Sequence, residues 1–139
     1  MATRSTIAVL HTDGTVSSSY CHWDGYLTHH GRILVQHYNT LELAEELISH
    51  GSMSSLAESI TPAGAHTFDD PEKGCTVYYG RDRGETDTAP ILFDDLTHYY
   101  QDNENEEYDY LFIGNTWMYI TDGAWSEVAG ALLDEDADD

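Results

Sequence analysis

The sequence predicts an α+β fold in which helices cover an antiparallel sheet of about five strands, formed by two hairpins and one further strand. Two pairs of alternating segments each flank a tight-turn dipeptide, Asp13-Gly14 in the first pair and Gly114-Asn115 in the second. The helical segments are grouped between these hairpins and do not alternate with strands. That grouping favours an antiparallel sheet over a doubly wound parallel one.

The first hairpin is predicted from Ser5 to Leu10 and from Thr15 to His22. Its dipeptide Asp13-Gly14 favours a two-residue turn with positive φ. A turn of that length sets the register, and the register decides which side chains share a face. One predicted face holds Ile7, Val9, Val16 and Tyr20, and the other holds Ala8, Leu10 and Cys21.

Two helices are predicted after the first hairpin. Apolar and aromatic residues recur at helical spacing over residues 33–38. The second helix starts at Asn39 or Thr40, where Asn39 can act as the cap while Glu42 reaches back, and Gly51 is placed to end it. Its apolar stripe is Leu41, Ala44, Leu47 and Ile48.

The middle of the chain is predicted to contain a short helix over residues 55–60, a loop over residues 61–74 and a strand over residues 75–79 that Gly80 closes. A further helix is expected around residues 94–101, because acidic residues at its start suit the positive end of a helix dipole.

The second hairpin, over residues 108–113 and 116–121, precedes a C-terminal helix. The apolar stripe of that helix is Trp125, Val128, Ala129, Leu132 and Leu133. The length of 139 residues fits one domain, which we place at residues 1–133, and residues 134–139 are predicted to form a disordered acidic tail.

The charge of the chain is strongly negative and unevenly distributed. The 26 acidic and 5 basic residues give a net charge of -21. Residues 1–68 hold 6 acids and 2 bases, whereas residues 69–139 hold 20 acids and 3 bases. Because nucleic-acid binding requires cations that displace counterions from phosphates, we expect no direct binding of DNA or RNA. The same field attracts basic protein surfaces.

The two cysteines, Cys21 and Cys75, are predicted to be free thiols. No segment reads as a signal peptide, and no apolar run approaches the ~20 residues that span a bilayer. We therefore expect a reducing compartment and no membrane partner.

Residues 20–32, YCHWDGYLTHHGR, hold several groups that can bind metal or perform catalysis. The ligand-competent residues in and near this stretch are Cys21, His22, His29, His30 and His37. Their spacing matches no standard zinc pattern, and Cys21 and His22 are neighbours on a strand and should face opposite ways. We predict no metal, no cofactor and no catalytic residue, although an enzyme centred on Cys21, His22 and Asp24 is one alternative.

The segment YYGRDRGE presents Arg81 and Arg83 between two glycines. Guanidinium groups bind carboxylates and phosphates, so one interpretation is an anion site for a nucleotide signal, with Trp23, Asp24 and Tyr26 as a pocket wall. The other interpretation, which we favour, is internal salt bridges to nearby acids.

The segment FDDLTHYYQDNENEEYDY, residues 93–110, interleaves carboxylates with aromatic rings. Dense carboxylates can imitate the charge of duplex DNA, and aromatic residues supply the rigid contact area that interfaces favour. A solubilising surface is an equal alternative, and adaptation to high salt is a third. The candidate partner-binding residues are Asp94, Asp95, Asp102, Glu104, Glu106, Glu107 and Asp109.

Several segments together resemble a group of small proteins encoded by tailed bacteriophages: TRSTIAVLHTDGTV, YCHWDGY, GRILVQHYNT, GCTVYYGRDRGE and YDYLFIGNTWMY. The likeness covers roughly residues 3–120 and is most specific in YCHWDGY and GRDRGE. That group has no established activity, so the resemblance implies a phage accessory protein in the host cytoplasm and supplies no catalytic residues.

The charge and the resemblance together lead to one functional prediction. We expect an inhibitor of host defence, of the anti-CRISPR or anti-restriction type, that binds a basic nucleic-acid-binding host protein through a DNA-mimicking acidic surface. A nucleotide-binding sponge and a small enzyme are the alternatives, and a homodimer is compatible with each of them.

Overall fold

The computed structural model describes residues 2–121 and 123–137. The strands are β1 (Ser5–Leu10), β2 (Val16–Cys21), β3 (Met53–Ser55), β4 (Val77–Tyr78), β5 (Ile91–Phe93), β6 (Tyr108–Ile113), β7 (Thr116–Ile120) and β8 (Ser126–Glu127). The helices are a π-helical segment (Leu27–Gly31) that continues into α1 (Arg32–His37), then α2 (Leu41–Ser49), α3 (Tyr79–Arg83), α4 (Leu96–Asp102) and α5 (Val128–Ala137).

Within the described residues, these strands form one mixed sheet of eight strands in the order β4-β3-β2-β1-β6-β7-β8, with β5 also paired to β2. The prediction of a five-stranded antiparallel sheet is therefore wrong. The two hairpins join through a parallel pairing of β1 with β6, and β2 pairs in parallel with β3. Local turn signals predict each hairpin, but they carry no information about how two hairpins pair with each other.

The first hairpin has a different register from the predicted one. His11 N–H donates to the Thr15 carbonyl at 2.8 Å, and Gly14 has a φ of +92°. Such a loop has three central residues, with glycine in the left-handed position, and shifts the register by one residue. Cys21 therefore lies on the face of Ile7 and Val9, while Val16 lies on the opposite face.

The sheet is covered on both faces. On one face the π-helical segment, α1, α2 and α5 pack over a core that includes Ile7, Leu47, Phe112 and Trp117. On the other face, α4 packs over a smaller cluster to which the sheet strand β5 contributes Phe93: Ala8, Val16, Phe93, Tyr99 and Leu111. This second cluster positions α4 and the acidic segment that follows it.

Several local predictions are confirmed. The predicted helices correspond to α1, α2, α4 and α5, and Thr40 is the residue that caps α2, by accepting from the Leu43 N–H at 3.2 Å. Both Gly114 and Asn115 have positive φ, as a two-residue hairpin turn requires. The predicted helix over residues 55–60 is wrong, because Met53–Ser55 is a strand and Ser59 bridges Cys75.

The C-terminal helix extends to Ala137, within the segment predicted to be a tail, and residues 138–139 lie outside the described residues. None of the helices in the described part of the chain has the length and apolarity that a membrane span requires.

Candidate functional site

The α4 helix and the loop after it carry most of the candidate partner-binding residues. Asp95 caps α4, because its side chain accepts the His98 N–H at 2.8 Å. Phe93 and Tyr99, which pack edge to face at 5.4 Å, anchor the segment to the second core cluster. The polar residues between these anchors are left facing outward.

The exposed carboxylates of this segment form what we call the acidic face: Asp94, Asp95, Asp102, Glu104 and Glu107. Glu106 is half-buried. Two large apolar side chains at half exposure or more lie in the same region: Tyr100 on α4, and Ile91, which lines a small cavity together with Glu104 and Glu106. Leu92 is also exposed, but alternation along β5 turns it toward the opposite face of the sheet. The acidic face therefore combines charge with apolar contact area.

His98 ties two members of the acidic face together. Its Nδ1 accepts the Asp94 backbone N–H at 3.0 Å, so Nε2 carries the proton and donates to Asp102 Oδ2 at 3.1 Å. The arrangement orients Asp102 at the end of α4.

Asp109 does not belong to the acidic face, because it is buried with 2% of its surface exposed. Thr6 Oγ1 donates to Asp109 Oδ1 at 2.7 Å, and the Glu106 N–H donates to the same oxygen at 3.2 Å. Burial raises the pKa of Asp109 above its ordinary value, in spite of the hydrogen bonds. Its role is to fix the loop before β6, and the prediction that it contacts a partner is corrected.

Replacing Asp109 by asparagine is expected to raise the free energy of unfolding at neutral pH by about 1 kcal/mol. The amide keeps an oxygen for Thr6 and Glu106 and removes a buried charge. Because the folded-state pKa lies above the unfolded-state pKa, the folded chain binds more protons between the two values, and wild-type stability falls as pH rises through that window.

The gain from Asp109→Asn should therefore shrink when urea unfolding is repeated below the unfolded-state pKa of the aspartate. The control is Asp94→Asn, which removes an exposed carboxylate outside the hydrogen bonds of Thr6 and Glu106 and should not reproduce the gain at neutral pH. A gain that is the same at acidic and neutral pH would contradict the explanation.

Beside the acidic face lies a cleft of about 340 Å³ between α4 and the segment that joins β7 to β8. Its lining residues are Tyr99, Tyr100, Asn103, Asn105, Ile120, Gly123 and Trp125. The Tyr100 and Trp125 ring centroids are 6.0 Å apart, and Tyr100 is 50% exposed. We call this feature the aromatic cleft.

A second cavity of about 190 Å³ adjoins the aromatic cleft and shares Asn105, Ile120 and Gly123 with it. Glu106 and Asp109 also line the second cavity. The charged side chains that line this second cavity in the described structure are therefore carboxylates.

The aromatic cleft is not predicted by the sequence. Its residues come from two stretches of chain, one around the end of α4 and one between β7 and β8, that only tertiary structure brings together. The periodicity assigns Trp125 to the C-terminal helix stripe. In the fold, Trp125 precedes β8 and packs on Tyr99 and Tyr100. The density of tyrosine and asparagine over residues 99–105 is the one available signal.

The Arg81 guanidinium makes its hydrogen bonds to groups within the protein. It donates to the carbonyls of Ile60 at 2.5 Å and Thr76 at 2.9 Å and to both oxygens of Asp82, at 2.9 and 3.1 Å. It also lies 4.7 Å from the centre of the Tyr78 ring. These contacts favour the internal salt-bridge interpretation over the anion site.

Arg83 lies on the exposed side of α3. Its guanidinium stacks on Phe68 at 4.9 Å, and its Nε lies 3.6 Å from the Glu85 carboxylate. Neither arginine is directed toward the proposed pocket wall. Trp23 and Tyr26 are 45% and 40% exposed, and their ring partners are the neighbouring His22 and His29. Asp24 is exposed with a φ of +59°.

Cys21 and His30 meet in the first core, with Sγ and Nε2 3.2 Å apart. Both residues are fully buried, and burial raises the pKa of Cys21 to about 12 and lowers the pKa of His30 to about 3. A protonated thiol beside a neutral imidazole, closed to solvent, is a packing pair and a poor nucleophile.

His22 points away from the Cys21–His30 pair, and its Nδ1 lies 2.7 Å from the Tyr20 hydroxyl. No group of three or more His, Cys, Asp or Glu side chains among residues 2–121 and 123–134 is arranged to hold a metal ion.

Comparison of the chain with protein-family models, with curated proteins and with solved structures finds no match.

Proposed function

We propose that the protein is an inhibitor that binds a basic nucleic-acid-binding protein through the acidic face and blocks the groove in which nucleic acid would lie. The observation that supports this proposal most is the composition of the face. Exposed carboxylates at the start of α4, at its end and on the following loop lie beside half-exposed Ile91 and Tyr100.

The apolar residues favour a binding surface over a merely solubilising one. Solubility requires charge alone, whereas a protein interface combines apolar and aromatic contact area with a polar rim. Tyr100 offers a large rigid ring at half exposure, directly after the buried Tyr99 on α4. A partner that covers the acidic face would bury these apolar side chains.

The charge of the chain favours a basic partner. With a net charge of -21, and most of the acids after residue 68, the field steers cationic surfaces toward this half of the molecule and repels nucleic acid. The resemblance to tailed-bacteriophage proteins suggests the setting: the host cytoplasm, with a restriction or CRISPR effector as the target. The alternative of a nucleotide-binding sponge loses support, because Arg81 is held by internal carbonyls and Asp82.

The test is capture of proteins from a bacterial lysate on the immobilised chain, followed by elution with duplex DNA. We expect the captured proteins to bind DNA themselves, to be released by it, and to be lost between ~50 and ~200 mM salt, because the contacts are electrostatic. The variant Asp94→Asn, Asp95→Asn, Asp102→Asn, Glu104→Gln, Glu107→Gln should lose the capture.

The matched control neutralises as many exposed carboxylates outside the acidic face: Glu42→Gln, Glu46→Gln, Glu58→Gln, Asp69→Asn and Asp70→Asn. It changes the net charge equally and should keep the capture. Equal losses in both variants would show that total charge matters and the acidic face does not. Captured proteins that do not bind duplex DNA and are not released by it would contradict the inhibitor proposal.

A further inference from the structure

The aromatic cleft has the chemistry of a site for a planar cation. Tyr100 and Trp125 line it with rings whose centroids are 6.0 Å apart, and aromatic faces attract cations through their quadrupole. Asn103 and Asn105 add amide groups to the wall. Because Tyr100 is 50% exposed, part of its ring is available to an incoming group.

The charges around the aromatic cleft exclude an anionic ligand. None of the five basic residues of the chain lines the cleft or the adjoining cavity in the described structure, whereas Glu106 and Asp109 line the adjoining cavity. A nucleotide would therefore place its phosphates beside carboxylates with no cation to compensate. A positively charged group gains from both the rings and the carboxylates.

We propose that the aromatic cleft receives an arginine side chain of the basic partner. The guanidinium stacks on Tyr100 or Trp125, and its N–H groups donate to the side-chain oxygens of Asn103 and Asn105 and, in the adjoining cavity, to the Glu106 carboxylate. Arginine fits better than lysine, because its guanidinium is planar, is weakly hydrated and stacks on aromatic faces. This inference rests on the proposed function, since it names the group by which the partner is held.

The asparagine oxygens can each accept a further hydrogen bond from such donors. Asn103 Oδ1 accepts from the Ser18 hydroxyl at 3.3 Å, and Asn105 Oδ1 accepts from the Asn103 amide at 3.3 Å. Both hydrogen bonds are long, and each amide oxygen has a second lone pair. A charge-assisted bond from a guanidinium would be the shorter and stronger one.

The test uses a small probe and needs no partner. The ¹⁵N-labelled indole signals of the whole chain are followed by NMR during titration with N-acetyl-arginine amide and, separately, with the neutral isostere N-acetyl-citrulline amide. We expect a saturable shift of the Trp125 signal with arginine and none with citrulline. The Trp23 signal, from an exposed tryptophan outside the cleft, is the internal reference.

Tyr100→Leu should weaken arginine binding about fivefold, because it removes one aromatic face and keeps only a shorter apolar side chain. Tyr26→Leu is the matched control, since Tyr26 is also a partly exposed tyrosine but lies outside the cleft. This variant should bind N-acetyl-arginine amide with the affinity of the wild type. Asn105→Ala is a second variant at an exposed position and should also weaken binding.

Three results would overturn the inference: no shift at Trp125, an equal shift with citrulline, or equal shifts of Trp125 and Trp23. These results would leave the proposed function standing, because capture through the acidic face is measured separately. Conversely, arginine binding without capture of any DNA-binding protein would refute the proposed function and retain the cleft as a guanidinium site.

Discussion

Substitution of Arg81 by methionine is expected to lower the free energy of unfolding by about 2 to 3 kcal/mol. Methionine keeps an unbranched apolar stem but none of the donors. The carbonyls of Ile60 and Thr76 would lose their charged partner, and so would Asp82, whose side chain is 7% exposed. Urea unfolding monitored by circular dichroism measures the change, with an unaltered slope expected.

The matched control is Arg83→Met, which removes the same charge from the same short helix. Arg83 is 53% exposed and its ion pair with Glu85 is long. Its replacement should therefore lower the free energy of unfolding by no more than about 0.5 kcal/mol. If Arg81 were an anion-binding residue, the two variants would differ little in stability, and phosphate would stabilise the wild type against urea. Either result would contradict the structural role.

The Arg81 network also shows what the sequence can predict about the site. The scarcity of bases makes GRDRGE conspicuous, and the favoured interpretation is internal ion pairing with nearby acids. Asp82, one of those acids, is the partner, and it also accepts the Tyr78 N–H at 2.8 Å and lies 3.1 Å from His66 Nε2. The two carbonyl partners are not predictable, because they depend on how the loop before Cys75 folds back.

The hairpins are predictable because their turns are local. Gly114-Asn115 adopts the expected two-residue turn, whereas Asp13-Gly14 lies in a three-residue loop that exchanges the predicted faces of Val16 and Cys21. A dipeptide signal does not distinguish these two loops. The short strands β3, β5 and β8 escape prediction, since two or three residues are too few for alternation to show.

Charge density in the sequence predicts where the acidic face lies, but it does not predict which carboxylates belong to that face. Asp109 lies within β6, on the face of Leu111, and is buried in the layer between the sheet and α4, where Thr6 binds it. Glu107 precedes β6 and is exposed. Sequence density therefore locates the surface to within a segment, and the point at which β6 begins and packs under α4 decides which carboxylates reach solvent.

The segment that carries the acidic face is held in place by a close contact at Gly51. The Ser52 N–H donates to the Thr88 carbonyl at 2.8 Å, which joins the end of α2 to the chain leading into β5. Gly51 has a φ of +88°, and a Cβ at that position would lie 2.0 Å from the Thr88 oxygen. The glycine predicted as a helix stop therefore has a second role, because it allows two backbone segments to touch.

Gly51→Ala is accordingly expected to lower the free energy of unfolding by about 3 to 4 kcal/mol, since the left-handed backbone and the clash with a carbonyl both oppose the methyl group. Gly14→Ala separates the two causes. Gly14 has a φ of +92°, and a Cβ added there would have no heavy atom within 4 Å, so its cost should be about 1 kcal/mol. Equal costs in urea unfolding would mean that the Thr88 segment moves aside freely, and the contact would then not position β5 and α4.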